Sequence, residues 1–187
     1  MVDESGAPSS GQASGRASGQ IVAACVALGS NLASSFGSPQ ETLRRAIHAL
    51  ASTPGIRVLA RSIWHRTAPV GNRDQPDFVN GACVLETTLS PEDLLEHLLA
   101  IEVRFGRDRR TSQRWGPRTL DLDLILYGTR VVHCPYLVVP HPRMHERAFV
   151  LEPLAEIAPS AEIPTLGVTV AEALAALAAR QAGDAGT

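Results

Sequence analysis

The stretch Arg114-Trp115-Gly116-Pro117-Arg118-Thr119-Leu120-Asp121-Leu122-Asp123-Leu124-Ile125-Leu126 joins guanidinium groups to an acidic pair inside an aliphatic run. Its alternation is that of a β-strand, in which residues i and i+2 share a face. Asp121 and Asp123 are therefore expected to point the same way, ~7 Å apart along the strand. Leu120, Leu122, Leu124 and Leu126 are expected to point the other way, into a core. Carboxylate oxygen is the ligand that Mg²⁺ takes, and two such ions about 3.5–4 Å apart are the usual clamp of phosphoryl chemistry. An Asp-x-Asp pair could instead be neutralised by arginines at the edge of a fold. Burying a strand end with two unpaired carboxylates is costly, so metal, arginine or both must lie close. On this reading, removing either carboxylate relieves repulsion and leaves the fold intact.

Working outward from this strand, Ile21 to Leu28 is a continuous apolar run stopped by Gly29-Ser30-Asn31, as in a central strand. Ser38-Pro39-Gln40-Glu41 supplies an N-cap, a first-turn proline and a capping-box acid, which predicts a helix over 39–52. Residues 56–66 and 78–88 read as two further strands on either side of a loop rich in Pro, Gly, Asn and Asp. Ser90-Pro91-Glu92-Asp93 repeats the helix start, and Leu94, Leu98, Ile101 and Phe105 recur at helical spacing up to Gly106. The acidic strand, 120–127, follows an arginine-rich loop over 107–119, and Gly128-Thr129 turns it into a short partner around 130–133. This order, β-α-β-β-α-β, predicts an α+β, ferredoxin-like fold with two helices on one face of a mostly antiparallel sheet. Residues beyond 140 add loops and one or two helices, including an alanine-rich one near 169–180. Residues 1–19 are expected to be a disordered tail, and 20–187 a single domain.

All 17 basic residues are arginine. That excludes mechanisms built on a phosphate-loop, Schiff-base or kinase-type lysine, and leaves guanidinium forks, backbone N–H groups or metal to hold phosphate. Arg104, Arg107, Arg109, Arg110, Arg114 and Arg118 crowd one window, whereas the net charge is only −2. A local charge of that kind suits a small anionic ligand better than nucleic acid. Cys25, Cys83 and Cys134 have no metal-type spacing and read as reduced cysteines of a cytoplasmic protein. No apolar run approaches the roughly 20 residues of a membrane span. His141 and His145 stand four apart but lack the glutamate and further ligands of a zinc site. His48, His65, His97 and His133 read as surface or internally satisfied histidines.

The run G-P-R-T-L-D-L-D-L-I-L, preceded by R-W, resembles the signature of the 6-hydroxymethyl-7,8-dihydropterin pyrophosphokinase family, which transfers pyrophosphate from ATP to a pterin alcohol in folate biosynthesis. Further similar segments follow in order: A-L-G-S-N at 27–31, R-T-A-P-V at 66–70, D-Q-P-D-F-V-N at 74–80, V-P-H-P-R-M at 139–144 and R-A-F at 147–149. The resemblance extends from residue 21 to about 160. It implies that Asp121 and Asp123 hold two Mg²⁺ ions and, with Arg107 and Arg118 on the transferring phosphates, form the catalytic group. It further implies that Glu102, Arg109, Arg114, Trp115, Arg118, His141 and Arg147 serve the co-substrate ATP, with Arg109, Arg114 and Trp115 on a loop that closes over it. Thr67, Ala68, Val70, Phe78, Asn80, Trp115 and Phe149 would form the pterin site, the flat ring lying between Phe78 and Phe149. The expected enzyme is a cytoplasmic monomer with small-molecule substrates and neither nucleic-acid nor membrane partners.

Two rival readings use the same features. A metal-dependent phosphohydrolase would aim water at phosphorus from the same Asp pair. A ferredoxin-like RNA-recognition domain would need exposed aromatic residues on its central strands, and aromatic residues make up only 4% of the chain.

Overall fold

Serine caps and short aliphatic strands build the first half of the chain, as the computed structural model shows; it describes residues 20–69, 71, 74–107 and 116–184. Strand β1 (Val22–Ser30) leads to helix α1 (Pro39–Ala51), where Ser38 accepts the Glu41 N–H and the Glu41 carboxylate accepts the Ser38 N–H. Strands β2 (Ile56–Arg61), β3 (His65–Thr67) and β4 (Phe78–Thr87) follow, then helix α2 (Pro91–Arg104) with Ser90 as its cap. Gly106, at φ 85°, ends that helix in a backbone conformation that other residues rarely adopt. Strand β5 (Asp121–Tyr127) carries the acidic pair. Beyond it lie β6 (Val132–Cys134), β7 (Leu137–Val139), a short 3₁₀ turn (Met144–Glu146), α3 (Ala148–Ile157), β8 (Glu162–Ile163), β9 (Val168–Thr169) and α4 (Val170–Asp184).

The main sheet has the order β2-β4-β1-β5, with β3 also paired to β4, and each of these pairs is antiparallel. It is the ferredoxin-like order that the element sequence predicts. One face packs Ala24, Val26, Leu28, Leu85, Leu122 and Leu124 against Leu43 and Leu50 of α1 and Leu94 and Leu98 of α2. The opposite face is covered as well: Cys25, Ala82, Ile125 and Leu126 pack against Val150, Leu151 and Leu154 of α3 and Val170, Ala173 and Leu177 of α4. The C-terminal additions expected beyond residue 140 include two helices, and α3 and α4 form a third layer that seals the second side of the sheet. Among the described residues, no helix is long and apolar enough to cross a membrane.

Three expectations need correction. The alternation of β5 breaks at a bulge: Cys25 faces Leu126 and Val26 faces Leu124, which leaves Ile125 unpaired in the ladder. Leu120, Leu122 and Leu124 face α1 and α2 as expected, but Leu126 turns with Ile125 to the opposite core. The strand expected over 56–66 is two strands, because Ser62 turns inward, its Oγ accepting the Ala82 N–H at 3.0 Å, and the Trp64 ring lies over Gly81. The short strand after Gly128 pairs with β7 and not with β5, since the Gly128 N–H continues the sheet by donating to Ala23 O at 2.7 Å.

Candidate active site

Registration across the sheet puts the two carboxylates above small residues. Asp121 lies opposite Gly29, which lies opposite Asn80, and the next row runs Asp123, Ala27, Ala82. A Cβ on Gly29 would sit 3.1 Å from Asn80 Oδ1 and 3.8 Å from Asp121 Cβ, so glycine keeps the floor low between them. Over this floor opens a cleft. At one end are Gly116, Arg118, Asp121, Asp123 and Arg147, and at the other Thr67, Ala68, Phe78, Asn80 and Phe149.

The charged end is an ionic chain rooted in the core. Glu102, fully buried on the last turn of α2, accepts the Leu122 N–H at 2.8 Å and the Arg107 guanidinium at 2.6 Å. Arg107 also pairs with Asp121 and donates to Leu120 O at 3.2 Å, and Arg118 grips the other Asp121 oxygen. Burial works against ionised Asp121, yet the two guanidiniums hold its carboxyl below the usual range. Asp123 has no such partner: among the described residues no hydrogen bond or ion pair reaches its carboxylate. Burial and the neighbouring Asp121 charge push its pKa up to about 6, against the pull of Arg147. The Nε atoms of Arg107 and Arg118 are buried with no hydrogen-bond acceptor among the described residues. Among the described residues, these donors and the Asp123 oxygens are unsatisfied polar atoms of this end.

The bulge in β5 has a use here. The carbonyl of Ile125 accepts the His141 N–H at 2.9 Å, tying the segment after β7 to the acidic strand. Burial and nearby Arg147 lower the His141 pKa to about 4, so its imidazole is neutral at neutral pH. Nδ1 accepts the Arg143 N–H at 3.2 Å, which leaves the ring proton on Nε2. Arg147 stands at the start of α3 with its guanidinium 5.7 Å from the Phe149 ring centre, joining the charged end to the aromatic one.

The aromatic end has its own order. Asn80, only 6% exposed, donates to Thr67 Oγ1 at 2.7 Å, which fixes the amide beside Phe78. Phe78 enters from β4 and Phe149 from α3, the helix packed against that strand, so the lining comes from two elements.

Of the residues singled out in the sequence, Thr67, Ala68, Phe78, Asn80, Arg118, Asp121, Asp123, Arg147 and Phe149 line the cleft together. Glu102 and Arg107 lie behind Asp121, and His141 stands beside Arg147 outside the lining. Val70, Arg109, Arg114 and Trp115 lie outside the described residues. Sequence reasoning gave no role to Asn31, which is 3% exposed. Its amide donates to Gln75 Oε1 and Pro76 O at 3.0 Å, and its Oδ1 accepts the Arg118 N–H at 2.7 Å. One side chain thus joins the loop before Phe78 to the loop that carries Arg118. The only signal for it was its place at the end of A-L-G-S-N.

Residues 25–159 match the sequence profile of 7,8-dihydro-6-hydroxymethylpterin-pyrophosphokinase. The chain is 49% identical over 139 residues to the 2-amino-4-hydroxy-6-hydroxymethyldihydropteridine pyrophosphokinase of Pseudomonas aeruginosa, covering 74% of this chain and 82% of that one. It is 44% identical over 154 residues to the protein of the same name from Bacillus subtilis, covering 79% and 89%. Among solved structures, wild-type Plasmodium falciparum HPPK-DHPS with pteroate superposes with a TM-score of 0.68 at 11% identity. That match covers 90% of this chain and 44% of the other, so the present chain spans less than half of that protein, and the likeness is one of fold.

Proposed function

The chain belongs to the 7,8-dihydro-6-hydroxymethylpterin-pyrophosphokinase family of transferases, and we propose that in folate synthesis it moves pyrophosphate from ATP to the hydroxymethyl group of 6-hydroxymethyl-7,8-dihydropterin. The observation that carries this reading is a single cleft with a guanidinium and carboxylate end joined to an amide and two-phenyl end. The hydroxymethyl oxygen forms a bond to the β-phosphorus of ATP, the bond from that phosphorus to the oxygen bridging to the α-phosphorus breaks, AMP leaves, and the alcohol proton is lost.

The donor set fits divalent metal. Asp123 faces the cleft without a partner among the described residues, and Asp121 shares its oxygens between two arginines that can pass to phosphate when the nucleotide enters. Asp121 and Asp123 would hold two Mg²⁺ ions, which neutralise phosphate charge when bound. Arg107, Arg118 and Arg147 would bind phosphate oxygens, and their fixed placement supplies orientation and charge stabilisation. Glu102 keeps Arg107 aimed, neutral His141 offers an Nε2–H donor, and Arg109, Arg114 and Trp115 would complete the nucleotide side. At the other end, Phe78 and Phe149 would sandwich the pterin while Asn80, Thr67, Ala68 and Val70 read its edge. A ring lacking the matching groups would leave buried polar atoms unpaired. The same proposal makes the enzyme a cytoplasmic monomer with one domain over 20–187. The free thiols of Cys25, Cys83 and Cys134 support that compartment.

The test is an assay with ATP, Mg²⁺ and 6-hydroxymethyl-7,8-dihydropterin. The proposal expects one AMP for each pterin diphosphate and no AMP without pterin. Release of phosphate or pyrophosphate without pterin would favour the hydrolase reading.

A further inference from the structure

We propose that His65, together with Glu156 and Glu152 of α3, is a strut that sets the gap between the two walls of the aromatic end of the cleft; this rests on the pterin reading above. His65 belongs to β3 and lies opposite Asn80, while Thr67 lies opposite Phe78. Cross-strand partners and residues two apart share a face, so His65 stands on the same wall as Phe78 and Asn80. The other wall is α3, on which Phe149, Glu152 and Glu156 follow at i, i+3 and i+7 and so share one side of the helix.

The imidazole joins the walls. Its Nε2 lies 2.5 Å from Glu156 Oε1, and its Nδ1 lies 3.7 Å from Glu152 Oε2. The second Glu156 oxygen accepts the backbone N–H of Ile63 at 3.0 Å, so one carboxylate pins both the ring and the chain entering β3. None of these three side chains lines the cleft, which makes them positioning residues without substrate contact. The helix needs such support near Phe149. Pro153 lies inside α3, and a proline has no N–H to give the carbonyl four residues earlier, which here belongs to Phe149. The turn bearing the aromatic wall therefore lacks an internal bond, and Glu152 and Glu156 fasten it to β3 from the following turns.

The strut is partly in water: the side chains of His65, Glu152 and Glu156 are 21%, 46% and 32% exposed. Pairs of that exposure contribute little to global stability. The expected effect of breaking this one is accordingly on the site and not on the melt.

The test uses the full chain with His65→Ala, Glu156→Ala, the double variant, and His65→Gln, which keeps one donor toward Glu156. His65→Ala and Glu156→Ala should each raise the KM and Kd for pterin about tenfold, as a misplaced wall would, with kcat and the KM for ATP unchanged. The double variant should be no worse than either single one, and His65→Gln should recover most of the loss. Independently of ligand, amide exchange over 149–151 should quicken in His65→Ala and Glu156→Ala. Unchanged pterin KM and Kd, an equal rise in both substrates' KM values, or unchanged exchange would overturn the strut. If the unmodified protein binds no pterin, the reading of the site has failed, and the exchange experiment alone decides the strut.

Discussion

The two ends of the cleft are held in different ways. At the charged end, Glu102, Arg107, Asp121 and Arg118 form a chain of ion pairs anchored by the buried Glu102 carboxylate and set against the edge strand β5. At the aromatic end, one Asn80–Thr67 hydrogen bond and two phenyl faces come from β3, β4 and α3, elements whose spacing must be fixed from behind. The first arrangement is preorganised for charge, which is where transition-state stabilisation acts. The second is assembled from separate elements, which suits recognition of a flat ring. Damage to the first should appear in turnover or in folding, and damage to the second in affinity.

The largest effects should come from the carboxylates, and the two should differ. Asp123→Ala should lower turnover on the order of 10²–10³-fold or more with a melt that does not fall, because Asp123 has no partner to lose among the described residues and its charge is opposed by burial and by Asp121. Asp121→Ala should lower turnover as far and also destabilise the fold by about 1–3 kcal/mol, since Arg118, half-buried, loses its carboxylate and Arg107 keeps only Glu102. Thermal melts of both variants without Mg²⁺ check this. Equal melts would mean that the ion-pair chain does not support the fold. Either removal relieves the repulsion between the two carboxylates, but at Asp121 the loss of the Arg107 and Arg118 pairs should outweigh that relief.

Smaller losses are expected at the other end. Phe149→Ala should weaken pterin binding about tenfold to a hundredfold, since stacking of a flat heterocycle contributes roughly 1–3 kcal/mol. Asn80→Ala should cost about 1–3 kcal/mol of pterin affinity by leaving a ring group unpaired. Steady-state kinetics should show both as a rise in the KM for pterin with little change for ATP; a fall in kcat alone would blur the division between the ends.

The smallest effect concerns acid. His141 is lowered from its ordinary 6.5 to about 4. Between those values the unfolded chain takes up a proton that the native chain refuses, so stability falls as pH drops through this window and is retained above it. His141→Asn should make the acid branch of the stability curve shallower, as measured by urea midpoints at several pH values. An unaltered slope would place the imidazole in a more open setting.

Much of this was legible in the chain because its signals are local. Ser38 and Ser90 announce both helices of the first layer, and the spacing of Asp121 and Asp123 gives their common face. The bulge at Ile125 was not legible: L-D-L-D-L-I-L contains no glycine or proline to mark it, and it arises from pairing with β1 and from the bond to His141. The packing of the third layer is not legible in the sequence, since Pro153 interrupts the pattern of α3 and its apolar partners lie on strands far away in sequence. His65 read as a bland histidine because its partner Glu156 is 91 residues away.

The division of labour itself is tested most directly by calorimetry on the unmodified protein, Asp123→Ala and Phe149→Ala, each titrated separately with 6-hydroxymethyl-7,8-dihydropterin and with a non-hydrolysable ATP analogue plus Mg²⁺. The account predicts a crossed result: Asp123→Ala loses the nucleotide and keeps the pterin, whereas Phe149→Ala loses pterin affinity and keeps the nucleotide. If Phe149→Ala weakened the nucleotide and spared the pterin, the two ends of the cleft would be assigned the wrong way round.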